Sequence, residues 1–181
     1  MVDWVHDGRT ATEAPMSRIK LLVAAVVIAL FAMGTPAAAA PVNHALHRYA
    51  FASTVKLPFW PDLAIDGGAV TEWRSTSTGA FPQHLTIDFG YYPPPLTRVV
   101  VKLNPTWPAQ NLVLSVSGAP GGMNPWTYLA PVDRQYAFTP TTGNTVTLPV
   151  TVPFSIRYLR IWVTNPLFPD ACLAEVEAYS E

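Results

Sequence analysis

Apolar and polar side chains alternate with a period of two along several short stretches of the chain. In Leu112-Val113-Leu114-Ser115-Val116 and Thr145-Val146-Thr147-Leu148, every second side chain can face one side, the pattern of a strand half-buried on a core. β-Branched and aromatic residues gather in runs at 49–54, 83–89, 98–103, 111–117, 127–129, 136–138, 145–152, 156–164 and 172–179. Turn formers separate them: Pro93-Pro94-Pro95, Gly118 to Pro125, and Thr141 to Asn144. Of the 19 prolines only Pro15 and Pro36 precede residue 41, and the rest leave few windows for a sustained helix. The pattern predicts an all-β protein, an antiparallel β-sandwich or jelly roll of short strands.

One segment breaks this pattern. Residues 21–33 are a continuous uncharged apolar run, preceded by Arg18 and Lys20 and followed by small residues ending in Ala37-Ala38-Ala39-Ala40. That is the layout of a secretory signal peptide, predicted to form a helix, with cleavage after Ala39 or Ala40. An uncleaved anchor is the other reading, although a span needs about 20 apolar residues. Met16 is as good a start as Met1. The expected organisation is an N-terminal extension and signal peptide over 1–40, a lead-in over 41–48, and one sandwich domain over 49–181. The expected destination is outside the cell or in its envelope, with no membrane insertion after cleavage.

Composition narrows the function. Three basic and three acidic residues precede residue 41, leaving 8 Lys and Arg against 9 Asp and Glu. Such a balance provides no general attraction to nucleic acid. The single cysteine, Cys172, cannot form an internal disulfide, and in its apolar setting it reads as a buried, inert thiol. No C-x-x-C or Cys/His cluster suggests zinc. No G-x-S-x-G, H-E-x-x-H or glycine-rich phosphate loop suggests catalysis. The chain is therefore not expected to be an enzyme.

The order of several motifs is more specific. Phe51-Ala52-Ser53-Thr54 precedes Ala64-Ile65-Asp66-Gly67 and Thr71-Glu72-Trp73. Then come Phe81-Pro82-Gln83-His84-Leu85-Thr86-Ile87-Asp88-Phe89-Gly90, Leu114-Ser115-Val116-Ser117-Gly118, Arg157-Tyr158-Leu159-Arg160-Ile161 and Leu173-Ala174-Glu175-Val176-Glu177. Together these resemble the discoidin, or coagulation factor 5/8 type C, family with its galactose-binding-like jelly roll. Residues 136–146, YAFTPTTGNTV, look like its bacterial carbohydrate-binding branch. The resemblance spans roughly residues 49–179.

It implies a secreted, non-catalytic module that docks to a glycan or polysaccharide through loops at one end. A sugar needs a flat aromatic face and planar polar groups. The expected platform is Trp107 or Phe168, with Arg74, Gln110 and Asn165 as polar partners. Galactose-binding members often carry a histidine where this chain has Arg74 and an aromatic where it has Ser77, so galactose itself is not implied. The alternative is a membrane-surface or protein-adhesion domain using Phe59 and Trp60. Trp73 is expected in the core. Asp88 is expected to be tied by Arg157 or Arg160, and His84 to be a packed strand histidine.

The resemblance also implies a structural calcium. Gly67 and Gly68 permit a tight turn after Asp66. Asp66, the Gly68 carbonyl, Thr71, the Ala174 carbonyl and Glu175 would supply its oxygens. Many relatives have Asp or Asn where this chain has Gly68. Without metal, Asp66 would accept backbone N–H bonds instead.

Overall fold

The computed structural model describes residues 39–76, 80–165 and 169–180. The expected signal helix and Phe168 lie outside these residues. In chain order the strands are β1 (Tyr49–Ala52), β2 (Trp73–Arg74), β3 (Gln83–Asp88), β4 (Arg98–Lys102), β5 (Gln110–Ala119), β6 (Thr127–Tyr128), β7 (Arg134–Phe138), β8 (Thr145–Pro149), β9 (Tyr158–Asn165), β10 (Cys172–Leu173) and β11 (Glu175–Tyr179). Every run that alternates in the sequence becomes a strand. Strand β2 does not alternate visibly, because two residues are too few to show a period.

The strands form an antiparallel sandwich. The larger sheet has the order β1-β3-β9-β5-β6, with β7 also paired to β5. The opposing layer is β11-β4-β8, and β2 pairs with β10. The run 172–179, expected as one strand, divides at Ala174. Cys172 and Leu173 pair with Arg74 and Trp73, whereas Glu175 to Tyr179 pair with β4. The last strand thereby leaves one partner for another, and its bend carries the oxygens expected for calcium.

Alternation puts Leu85 and Ile87 of β3, Leu159, Ile161 and Val163 of β9, and Leu114 and Val116 of β5 into the interior. They meet Val99, Val101, Leu148, Val176 and Ala178 of the opposing layer in one core. Each such side chain contributes roughly 1.5–3 kcal/mol by leaving water. Trp73 is fully buried, as expected, and its Nε1 donates to the Thr54 carbonyl at 3.0 Å. A buried indole N–H needs such a partner. Asp88 is held as expected: Arg157 donates to its two oxygens, each at 2.8 Å. This hydrogen-bonded pairing holds the Asp88 carboxyl below its ordinary range.

Residues 41–48 are stitched into the fold. Ala45 lies in the core, His44 N–H donates to the Ala178 carbonyl, and Asn43 Oδ1 accepts from Ala178 N–H. Residues Pro41–Glu181 form one compact unit.

A cleft between end loops and a turn closed by two acids

The cleft grows from the short pair β2–β10. Extended backbone sends successive side chains to opposite sides, so Trp73 fills the core while Arg74 points outward. Opposite Arg74 stands Cys172. Two loops are fastened beside them. Lys56 N–H donates to the Arg74 carbonyl at 2.9 Å, and Arg74 N–H to the Phe59 carbonyl at 3.4 Å. On the far side, Ser75 N–H donates to the Ala171 carbonyl, and Ala171 N–H to Ser75 Oγ, both at 2.8 Å.

The Arg74 guanidinium is clamped. Its Nε donates to Glu72 Oε1 at 2.7 Å, and its Nη2 donates to the same oxygen. Its Cζ lies 4.3 Å from the Phe59 ring centroid and 5.3 Å from that of Trp107. Cation–π contacts of this kind add about 0.5–2 kcal/mol and fix the plane of the group. Trp107 comes from the loop before β5, where Asn144 Nδ2 donates to the Trp107 and Asn104 carbonyls at 2.9 Å each. The result is a cleft of 380 Å³ lined by Arg74, Trp107, Pro108, Pro169, Asp170 and Cys172, within the range of small-ligand sites.

Its polar groups are unevenly satisfied. Asp170 is buried, and its Oδ2 accepts from Lys56 Nζ at 2.6 Å, but its Oδ1 has no partner among the described residues. Glu72 is likewise buried with Oε2 unpartnered. A buried polar atom left unpaired costs about 1–3 kcal/mol, so both oxygens call for donors from elsewhere. Cys172 offers no reactivity. Burial pushes its thiol up to about 12, with the nearby Glu72 charge adding to the rise.

The expected sugar residues separate on this frame. Arg74 and Trp107 line the cleft together. Asn165 is exposed at the end of β9, opposite Val113 of β5, where a β-bulge shifts the register. Bulges of this kind bend the strand that carries them. Gln110 does not line the cleft. It opens β5 one residue earlier than the alternation suggested, pairs with Phe138 and is buried, with Nε2 unpartnered. Glu72, Lys56 and Asp170 carry no assigned role in the sequence alone, and the structure brings them to this end. Phe59, which the alternative membrane-surface or adhesion reading would use, is half-buried beneath Arg74. Trp60 is exposed and lines a separate groove of 420 Å³ with Tyr49, Phe51, Val55 and Pro61.

The turn after Asp66 is closed on itself. Asp66 Oδ1 accepts from Gly68 N–H at 2.7 Å and from Thr71 Oγ1 at 2.9 Å. Gly67 N–H donates to Glu175 Oε2 at 3.1 Å, joining the turn to the last strand. A Cβ on Gly68 would lie 2.2 Å from Thr71 Oγ1 and 2.8 Å from Asp66 Oδ1. The turn as it stands leaves no room for a side chain at this position. Glu175 is buried, and its Oε1 has no partner among the described residues. Burial pushes its carboxyl up to about 7; the Gly67 N–H opposes that rise and the Asp66 charge adds to it. No group of three or more His, Cys, Asp or Glu gathers among the described residues. Two carboxylates with neutral oxygens form a donor set suited to calcium rather than zinc.

Sandwich and end-loop cleft together define a galactose-binding-like fold of the F5/8 type C kind. The structure matches bacterial family 32 carbohydrate-binding modules across most of the chain. The module of Clostridium perfringens NanJ, solved in complex with galactose, is similar at a TM-score of 0.59 and 18% identity, covering 73% of this chain and 93% of that one. Chitosan-binding module 1 from a chitosanase/glucanase of Paenibacillus sp. IK-5 is similar at a TM-score of 0.58 and 26% identity, covering 77% and 99%. A Streptococcus pneumoniae fucose binding module is similar at 0.57 and 16%, covering 78% and 96%. Sequence comparison alone finds no matching family profile and no matching curated relative.

Proposed function

We propose that this protein is a secreted, non-catalytic carbohydrate-binding module that takes glycans in the cleft between Arg74, Trp107 and Asp170. One observation carries the reading: a tryptophan face stands beside a buried, half-satisfied Asp170 in a cleft of 380 Å³. A pyranose has what this arrangement lacks. Its C–H face covers an indole, and a hydroxyl donates to Asp170 Oδ1. Arg74, already fixed by Glu72 and Phe59, meets a ring oxygen or hydroxyl without losing rotamer freedom. Binding requires no bond-breaking step, and the signal-peptide-like pattern of residues 16–40 supports export. The structural neighbours favour the same reading: similar modules have been solved in complex with galactose, GalNAc-β-1,3-galactose and 4,5-unsaturated mannuronic acid.

The spike reading has less support. Phe59 is committed to Arg74, which leaves Leu57 and Trp60 as the exposed apolar residues of that loop. We also assign a structural calcium to Asp66, Thr71, Glu175 and the Gly68 and Ala174 carbonyls. The orphaned Glu175 Oε1 fits this role. Such an ion would supply positive charge to Asp66 and Glu175 and tie the Asp66 turn to the last strand.

Calorimetric titration with a panel of neutral, amino and acidic oligosaccharides tests the site. Binding of at least one class is expected, with at least about a tenfold loss of affinity in Trp107→Ala, near 1.4 kcal/mol. Undiminished binding in Trp107→Ala with Phe168→Ala would remove this site from consideration.

A further inference from the structure

The outer face of the larger sheet carries a second arrangement, away from the cleft. Register puts Tyr49 and Phe51 of β1 beside Asp88 and Thr86 of β3, and these beside Tyr158 and Arg160 of β9. His84 is opposite Trp162, and Trp162 is opposite Ser115 of β5. Neighbouring strands lie about 4.8 Å apart, so the rings form a row. Tyr49 and Phe51 centroids are 6.0 Å apart, Phe51 and Tyr158 6.4 Å, and Tyr158 and Trp126 6.5 Å. His84 and Trp162 stand 4.7 Å apart beyond Arg160.

Arg160 occupies the middle of this row. Its Cζ is 3.8 Å from the Trp126 centroid and 5.0 Å from that of Trp162, and its Nε donates to Thr86 Oγ1 at 2.8 Å. It has no carboxylate partner among the described residues, and its Nη groups make no hydrogen bond there. The other charged side chains named on this face have hydrogen-bond partners of their own. Arg157 is paired with Asp88, and Asp133 Oδ1 accepts from Ser115 and Thr164. Burial and the Arg160 charge hold His84 down to about 4, so it is neutral at ordinary pH. Burial also lowers Arg160 itself. An arginine taken partly out of water without a counter-charge is an unmet electrostatic demand.

We propose that this sheet face is a second glycan-binding surface, and that its ligand is an acidic polysaccharide whose uronate carboxylate meets Arg160 while its rings lie on the aromatic row. Charge complementarity selects an anion. A single unpaired cation selects one that carries isolated carboxylates between apolar ring faces. Nucleic acid fits less well, because its affinity comes from several cations neutralising several phosphates. The surface is separate from the loop-end cleft and does not depend on it.

The test follows the indole N–H resonances of the protein by NMR during titration with hexagalacturonate, with the methyl-esterified hexamer as the uncharged control. Shifts of Trp126 and Trp162 are expected. Affinity should fall at least about tenfold in Arg160→Gln, at least about tenfold for the ester, and progressively with added salt. Trp126→Leu should weaken binding similarly, and Trp107→Ala should leave it unchanged. Thermal melts confirm that each variant is folded, and the Trp126 variant answers the question if Arg160→Gln fails to fold. Any of four results overturns the proposal: shifts confined to Trp107; no hexagalacturonate binding by cooperatively melting protein; tighter binding of single-stranded oligodeoxythymidylate; or a dimer in sedimentation that Arg160→Gln dissociates without altering uronate affinity.

Discussion

Arg74 shows how one outward side chain is fixed by the architecture around it. Its charge neutralises Glu72, which is only 4% exposed, and the pair is held by Phe59 and Trp107. Removing one member of a buried pair strands the other, at about 3–5 kcal/mol. Arg74→Ala should therefore lower stability by about 3 kcal/mol in urea denaturation, and adding Glu72→Gln should recover most of that loss. An additive double mutant would show that the two do not act as a pair. Part of this was readable beforehand: an arginine directly after a core tryptophan, on an extended segment, has to face out. The Lys56–Asp170 pair was not readable, because its members lie far apart in sequence and only the closed sandwich joins them. Gln110 was misplaced for a local reason. Strand β5 starts one residue before its alternation becomes visible, so Gln110 takes the inward face it shares with Leu112 and Leu114.

At the scale of elements, the long strands were legible because burial on one side writes a period of two into the sequence. The two-residue β2 and the division of the last run at Ala174 were not, since neither alters the apolar pattern. The Asp66 turn was legible through its glycines, but the reason for Gly68 is steric and needs Thr71 in place. Gly68→Ala should destabilise the protein by about 1–3 kcal/mol, the usual range for overpacking, and the loss should shrink when Thr71→Ala is added. Equal losses in both backgrounds would put the strain elsewhere. Strand β3 yields a pH prediction. His84 is held at about 4 when folded against 6.5 when free, so the unfolded chain takes up the proton first as pH falls. Its contribution is complete above 6.5 and is lost as pH drops toward 4. The Tm of the wild type relative to His84→Gln should decline through that window, and a constant difference would contradict the assignment.

The sandwich unit is closed by contacts between its first and last segments. Asn43 and His44 bond to Ala178 and Ser180, and Gly67 to Glu175. Glu175 works against His84 in pH dependence. Its carboxyl is raised to about 7 from 4.5, so in chelator its contribution is full below 4.5 and disappears as pH rises through 7. Calcium should remove that decline, raise the Tm at neutral pH and release a proton on binding near pH 6. Glu175→Gln should abolish the thermal shift, and a shift that survives in that variant would place the ion elsewhere. The fold was readable from motif order because these end-to-end ties fix which strands are neighbours. The cleft's acids became visible only once the loops had met. The most direct measurement is a crystal structure of the protein with the tightest oligosaccharide from the titration panel. The predicted result is a sugar ring lying on Trp107 with a hydroxyl within hydrogen-bond distance of Asp170 Oδ1. A ligand bound at saturation with the cleft between Arg74, Trp107 and Asp170 left empty would contradict it.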